Sequence, residues 1–141
     1  MEDRIEAFLM SSPFKHIITP ALTELKENYG LKKVDAEVLY FLSVCNGHDT
    51  PTDIYNRLLL NKGHISQAIE TLLERGLISA EIDEYDKRST HYNVTPEASE
   101  SIHRIEEMLQ SMKAQLLKGI SEEEYTAFRQ VLNKMYQNIS R

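Results

Sequence analysis

Tryptophan is absent from this sequence of 141 residues, and cysteine occurs once, as Cys45. A single cysteine excludes a disulfide within the chain and is typical of a reducing compartment, so a cytoplasmic protein is expected. No apolar run approaches the ~18 residues of a membrane-spanning helix, and the acidic start MEDRIEAFLM is unlike a signal peptide. Basic residues are scarce, with 16 Lys and Arg against 22 Asp and Glu, which argues against indiscriminate binding of polyanions.

The motifs of common enzyme classes are missing as well. The chain has no glycine-rich phosphate loop, no cysteine pair with metal-ligand spacing and no Ser/His/Asp arrangement. His103, Glu106 and Glu107 have helical spacing that could hold a metal, but on a charged helix this pattern usually forms a solvated face. Cys45 lies in the most apolar segment, which favours an inert buried thiol over a redox sensor. Neither catalysis, a metal nor a cofactor is therefore predicted.

Helical periodicity dominates what the sequence does contain. Apolar residues between 3 and 29 predict one or two amphipathic helices that end near Gly30. The next apolar segment predicts a buried central helix, with Asp35 as its N-cap and Asn46-Gly47 at its end.

Two short helices follow in close succession. Thr50, Pro51 and Asp53 have the order of an N-cap, a first-turn proline and a capping-box acid. Asn61 is a second N-cap, and it precedes a helix predicted over 62–75 with one apolar face. Such a pair of helices predicts a helix-turn-helix.

After the second short helix the apolar period changes from helical to alternating. Ile78, Ala80 and Ile82 alternate in one segment, and Tyr92 and Val94 alternate in another. The two segments are joined by the polar stretch DEYDKRST. We therefore expect a mainly helical fold with a small antiparallel wing of two or three strands.

The C-terminal part is predicted to form two further helices. Thr95-Pro96-Glu97 has the order of a cap, a first-turn proline and an acid, and Ser121 with Glu124 forms a capping box. The apolar residues that follow recur every three or four positions: Ala98, Ile102, Ile105, Leu109, Met112 and Leu116, then Tyr125, Phe128, Leu132, Met135 and Ile139. Narrow terminal stripes predict packing against a second subunit, although an intramolecular helical hairpin would satisfy the same packing rules.

The order of these elements, together with one local motif, resembles the MarR family of winged-helix transcription regulators. The motif is LLERGLI followed by DKRSTHYNVT, and the spacing from Asp86 through Arg88 to Thr95 fits the family without a gap. The resemblance divides the chain into a dimerisation segment over 1–34, a DNA-binding lobe over 36–95 (helix-turn-helix 51–75, wing 77–94) and dimerisation helices over 96–140. It implies a homodimeric DNA-binding repressor of an inverted-repeat operator.

Arg88 is the residue of the wing that physical chemistry singles out. The minor groove of B-DNA is narrow and electronegative over A/T-rich steps, and an arginine on a projecting hairpin can enter it. Asp86 is predicted to position the Arg88 guanidinium through a charge-assisted hydrogen bond, and Lys87 is predicted to contact phosphate. The alternative is a solvated hairpin with an ion pair of little consequence.

The second helix of a helix-turn-helix places its N-terminal residues against base edges in the major groove. Gln67 can pair with adenine through two hydrogen bonds, and His64 can contact a guanine edge or a phosphate. Gln67 also departs from the family, whose members often carry arginine there. The residues predicted to contact DNA from this helix are Asn61, Lys62, Gly63, His64, Ser66, Gln67 and Thr71.

The resemblance also implies a small-molecule effector that binds between the dimerisation helices and the DNA-binding lobe. Phe14, His16, Tyr40 and His48 stand near the first two helices in sequence and are predicted to border such a pocket.

The charge of the predicted lobe favours a rival function. Between residues 49 and 92 there are five Lys or Arg against eight Asp or Glu. Few basic contacts to phosphate predict modest, sequence-dependent DNA affinity. An acidic winged helix could instead serve as an interaction module that engages a basic protein partner.

Overall fold

The computed structural model describes residues 15–58 and 60–139, with 15 and 16 described by backbone alone. Predictions for Phe14 and for the side chain of His16 therefore lie outside the described residues. The elements are α1 (Lys15–Tyr29), α2 (Lys33–Val44), α3 (Pro51–Leu58), α4 (Lys62–Glu74), β1 (Ile78–Ile82), β2 (Thr90–Val94), α5 (Ser99–Leu116) and α6 (Glu122–Ile139). The predicted class, mainly helical with a small antiparallel wing, is confirmed, and the wing in the described range has two strands.

Helix α2 is the centre of the fold, since it packs against α3, α4, α5 and β2. Its side chains Val38 and Leu39 are fully buried. The prediction of Asp35 as its N-cap is wrong, because the helix begins at Lys33 with Lys32 as the N-cap. The Asp35 carboxylate instead accepts a hydrogen bond from the Lys32 backbone N–H at 3.0 Å. Asp35 thus acts as the third-position acid of a capping box, a role that favours the same residue type.

The predicted helix-turn-helix is present as α3 and α4, and its caps are as expected. The Thr50 hydroxyl accepts from the Asp53 backbone N–H at 3.2 Å, and the Asp53 carboxylate accepts from the Thr50 N–H at 3.3 Å. The Asn61 side-chain oxygen accepts from the N–H groups of Gly63 and His64 at 2.9 and 3.2 Å. The buried face of α4 consists of Ile65, Ala68, Ile69 and Leu72.

Strands β1 and β2 form a hairpin that projects from this core. Ile78 pairs with Val94 at its base, and Ile82 pairs with Thr90 at its outer end. Ile78 is buried, whereas the Ile82 side chain is 65% exposed. The alternation that predicted β1 therefore does not mark a buried face along the whole strand, because the outer half of the hairpin extends into solvent.

Thr95 closes the base of the wing and does not cap a long helix directly. Its hydroxyl donates to the Gly76 carbonyl oxygen at 2.6 Å, and its N–H donates to the Leu77 carbonyl oxygen at 3.0 Å. A single 3-10 turn, Pro96–Ala98, follows, and α5 begins only at Ser99. The predicted order of Thr95 as N-cap and Pro96 in the first turn is thus present, and the difference is that this first turn is 3-10 and not α-helical.

The two apolar stripes of the C-terminal helices have different surroundings. Helix α5 buries Ile105, Leu109 and Met112 and packs against α1 and α2, so this stripe lies inside the chain. Dimerisation through the C-terminal helices stays a prediction. In α6 only Leu132 is buried and Tyr125 and Tyr136 are half-buried. Four other apolar residues of α6 are 44 to 63% exposed: Phe128, Val131, Met135 and Ile139. No helix in the described part of the chain is long and apolar enough to cross a membrane.

Candidate functional site

The outer face of α4 carries the predicted DNA-contacting residues together. Because the apolar residues of α4 face the core, Lys62, Gly63, His64, Ser66 and Gln67 are all exposed. Thr71, one turn further along, is half-buried. The exposed group therefore occupies the first two turns of the helix, which is the part that meets base edges in a helix-turn-helix complex. Contact of these residues with DNA stays a prediction.

Asn61 has less hydrogen-bonding capacity left for DNA than its sequence position suggests. Its side-chain oxygen already accepts the two N–H groups at the start of α4. Only the side-chain NH2 group, a donor, is left for an external partner.

Tyr55 on α3 was missed by the sequence analysis. Its ring is 42% exposed, and the Lys62 ammonium lies 5.9 Å from the ring centroid. This cation–π contact joins the two helices of the helix-turn-helix on their outer side. The sequence position of Tyr55 next to Ile54 could have indicated its exposure, because Ile54 faces the core and is fully buried, which directs Tyr55 away from the core.

The wing arginine is exposed and held by its neighbour. The Arg88 side chain is 93% exposed, and its Nε donates to Asp86 Oδ1 at 3.3 Å. The Arg88 backbone N–H donates to the same oxygen at 3.1 Å. The contact that was predicted between Asp86 and Arg88 is thus present. Lys87, between them, is exposed at the tip of the hairpin.

A second carboxylate, that of Asp83, shapes the turn that carries these residues. Its Oδ1 accepts from the backbone N–H groups of Tyr85 and Asp86 at 2.8 and 2.7 Å. The Asp83 N–H donates to the Ser89 carbonyl oxygen at 3.0 Å. The wing tip is therefore an ordered turn, built around an aspartate that the sequence analysis did not single out.

His91 on β2 joins this turn to the segment before α3. Its Nε2 lies 2.7 Å from Asp83 Oδ2, and its Nδ1 is hydrogen-bonded to Asp49 Oδ1. The hydrogen bond to Asp83, followed by that to Asp49, raises the pKa of His91 to about 9. The hydrogen bond from His91, with those from the Asp86 and Tyr85 N–H groups, lowers the pKa of Asp83 to about 2. At neutral pH an imidazolium therefore lies between two carboxylates.

The protonated His91 also changes the charge of the lobe. The count of five basic and eight acidic residues over 49–92 treats histidine as neutral. With His91 charged, residues 49–92 contain six positive and eight negative groups, and their net charge is −2 instead of −3. The acidic balance is thus smaller than the sequence indicates.

A cavity of about 350 Å³ lies between α1 and α5. Its apolar lining includes Ile18, Leu22, Leu25, Met108, Leu109 and Met112. Arg104 and Glu24 also line it, and they form a two-point ion pair with distances of 2.7 Å (Nε to Oε2) and 3.0 Å (Nη2 to Oε1). The hydrogen bond from Arg104 lowers the pKa of Glu24.

The residues predicted to border an effector pocket do not line this cavity where they are described. Tyr40 is half-buried on α2, and His48 is exposed in the loop after α2. Their role in ligand binding stays a prediction.

Two other sites were considered from the sequence, a possible metal site on α5 and the thiol of Cys45. His103 Nε2 lies 3.7 Å from Glu107 Oε1 on the exposed side of α5. In the described ranges no group of three or more His, Cys, Asp or Glu residues is arranged to hold a metal ion. Cys45 is buried at the end of α2, as expected, and its thiol lies 3.5 Å from the Leu42 carbonyl oxygen.

Comparison with known proteins identifies the fold. The family described as "Winged helix DNA-binding domain" matches residues 31–98. A MarR-family transcriptional regulator from Silicibacter pomeroyi has a similar structure, with a TM-score of 0.72, 24% identity and coverage of 90% of this chain and 88% of that one. The DNA complex of MepR from S. aureus gives a TM-score of 0.71 at 20% identity, covering 89% of each chain.

A third solved structure is that of the organohalide-sensing transcriptional regulator RdhR in its 2,4-dichlorophenol-bound form. Its TM-score is 0.62 at 21% identity, with 89% of this chain and 74% of that chain covered. The proteins from S. pomeroyi and RdhR are both described as transcriptional regulators, and MepR is bound to DNA. At these identities the likeness establishes a shared fold.

Proposed function

This chain is a winged helix-turn-helix protein with the fold of the MarR-family transcriptional regulators, and from that premise we propose that it binds DNA sequence-specifically as a homodimer. It acts as a repressor that occupies an inverted-repeat operator. The observation that carries this proposal is the exposed Arg88 on an ordered wing tip, combined with the polar outer face of α4. The DNA complex of MepR, which has the same fold, supports it.

In this proposal the two elements of the lobe bind different grooves. Helix α4 enters the major groove, where Gln67 pairs with adenine and His64 contacts a guanine edge or a phosphate. Each good bidentate contact of this kind discriminates against a wrong base by about 1–3 kcal/mol. Arg88 enters the adjacent minor groove, where A/T-rich steps give the strongest negative potential.

A second copy of the chain supplies the second half of the site. An apolar face is exposed on α6, formed by Phe128, Val131, Met135 and Ile139, and a contiguous exposed apolar patch often marks an interaction surface. A two-fold axis through that interface would present two α4 helices to half-sites about one helical turn apart.

We propose further that a small aromatic effector regulates binding from the cavity between α1 and α5. Its size and apolar lining suit one ring, and Arg104 offers a charged group to an anionic substituent. Arg75, at the end of α4, donates to the Gly30 carbonyl oxygen at 3.0 Å and so connects that helix to the end of α1. A ligand that displaces α1 would therefore shift α4. RdhR, with its bound 2,4-dichlorophenol, gives a precedent in the same fold.

The test is selection from a random duplex library at about 150 mM salt, where non-specific attraction is screened. We expect recovery of an inverted repeat with A/T-rich steps beneath the wings. Protein with Arg88→Ala, run in parallel, should lose the A/T preference and keep the preference at the α4 positions. A library that stays at background with and without aromatic ligands would contradict the proposal and favour a basic protein partner.

A further inference from the structure

The position of the wing depends on one histidine that bridges two parts of the chain. The acceptors of His91 are Asp83, 8 residues away, and Asp49, 42 residues away. The imidazole is 29% exposed, whereas the Asp49 side chain is only 12% exposed. A doubly bonded imidazolium has both ring nitrogens donating, so the ring can neither rotate nor flip without losing a charge-assisted hydrogen bond.

From Asp83 the connection continues to the arginine. One oxygen of the Asp83 carboxylate bonds His91, and the other accepts the Asp86 N–H. The Asp86 side chain in turn accepts from the N–H and the Nε of Arg88. Three hydrogen-bonding groups therefore join the imidazole to the guanidinium.

On the other side the connection reaches the helix-turn-helix. The Asp49 carbonyl oxygen accepts the Tyr92 N–H at 3.1 Å, which fixes its backbone against β2. Thr50, the next residue, caps α3. His91 therefore joins the wing tip to the start of the helix-turn-helix.

We propose that His91 is a positioning residue for DNA recognition: it holds the wing at a fixed distance from α4, so that Arg88 and α4 meet adjacent grooves simultaneously. The inference rests on the proposed function. It names a residue that makes no contact with DNA and acts through Arg88. Apolar packing does not replace the bridge in holding the outer half of the hairpin against the core, because Ile82 and Tyr85 are 65 and 91% exposed. An arginine on a mobile hairpin must be ordered on binding, which weakens affinity.

The test is a double-mutant cycle in DNA affinity with His91→Gln and Arg88→Ala, singly and together, on an operator with A/T steps beneath the wing. We expect His91→Gln to weaken binding about tenfold in the wild-type background and less than about twofold in the Arg88→Ala background. Asp49→Asn, which leaves the Asp83 turn in place, should follow the same pattern. His103→Gln, an exposed histidine on α5, is the matched control and should leave affinity unchanged. Thermal unfolding of each variant establishes that it is folded.

Equal losses from His91→Gln in both backgrounds would overturn the inference, because the histidine would then act on the lobe as a whole. Unchanged affinity in His91→Gln with a clear loss in Arg88→Ala would also overturn it and leave the proposed function standing. If Arg88→Ala binds like the wild type, both the wing contact and its positioning residue are refuted, while DNA binding through α4 remains. Absence of any selected DNA would instead contradict the proposed function itself.

Discussion

Arg104 on α5 and Glu24 on α1 form a two-point ion pair across 80 residues of sequence, with both side chains lining the cavity between their helices. Each side chain is about one-third exposed, 34 and 35%. Solvent screens such a pair, so its contribution to stability is small. Its position suggests a role in ligand binding, because Arg104 and Glu24 are the only charged residues among the described residues that line the cavity.

Glu24→Gln should increase affinity for an anionic aromatic ligand, because it removes the carboxylate that is hydrogen-bonded to Arg104 and leaves only the longer contact of Arg104 Nη1 with Glu107 Oε1 at 3.7 Å. Benzoate is a suitable probe and benzyl alcohol a neutral comparison of similar size, both measured by calorimetric titration. We expect the ratio of the two affinities to rise in Glu24→Gln and to fall in Arg104→Gln. Lys118→Gln, exposed beyond the end of α5, is the control for loss of one charge. A ratio that is the same in all four proteins would show that Arg104 does not meet the ligand.

Arg88→Ala should weaken operator binding by about 10- to 100-fold without changing folding, because the side chain is almost fully exposed and, within the described ranges, is paired with Asp86 alone. The salt dependence of the affinity should also become shallower by about one unit of log-log slope. Fluorescence anisotropy over a salt series measures both quantities. Arg88→Lys keeps the positive charge but changes the shape of the side chain. The salt dependence of this variant should equal that of the wild type, and its affinity should lie between those of Arg88→Ala and the wild type. Full recovery would indicate a simple phosphate contact.

Met135→Glu should convert the proposed homodimer to a monomer, since it places a charge in the centre of the exposed apolar face of α6. Light scattering after size-exclusion chromatography at micromolar concentration measures the mass directly. Lys134→Glu, the exposed neighbour, changes the charge even more and should leave the mass unchanged. Identical masses for Met135→Glu and the wild type would place the subunit interface elsewhere.

Glu37 makes stability depend on pH. Its side chain is 8% exposed, and its Oε2 has no hydrogen-bond partner among the described residues. Burial raises its pKa from 4.5 to about 7, although Lys33 at 3.9 Å opposes the shift. Between these two pH values the unfolded chain releases a proton that the folded chain keeps, so the free energy of unfolding falls as pH rises.

Glu37→Gln should therefore be more stable than the wild type at pH about 8, by up to about 3 kcal/mol, and similar to it at pH about 4. Urea denaturation at the two pH values gives the difference. The exposed Glu100→Gln is the control for removal of one carboxylate. A difference that does not vary with pH would mean that the pKa of Glu37 is the same in the folded and the unfolded protein, so that burial does not raise it.

The parts of the fold that were predictable are those set by short-range chemistry. The capping box of Thr50 and Asp53, the Asn61 cap and the box of Ser121 and Glu124 involve residues two or three apart, so the sequence contains each complete interaction. Asp35 shows the limit of this reasoning. An aspartate suits both the N-cap and the third helical position, and only the packing of the helix decides between them.

The wing shows why a site is harder to predict than a fold. The Asp86–Arg88 contact spans two residues and was predictable. The bond between His91 and Asp49 was not, because 42 residues separate them and neither belongs to a local motif. The packing of α5 against α1 was not predictable for a related reason: periodicity shows that a helix has an apolar face but not which helix covers it.

The cap at the start of α4 limits which bases Asn61 can distinguish by hydrogen bonding in an operator. With its carbonyl oxygen directed at its own helix, the amide can donate to a base but cannot accept. Guanine, adenine and thymine all offer an acceptor in the major groove, whereas cytosine offers only an amino donor. An alignment of operators should therefore show, opposite Asn61, no single preferred base but a depletion of cytosine on the strand it faces.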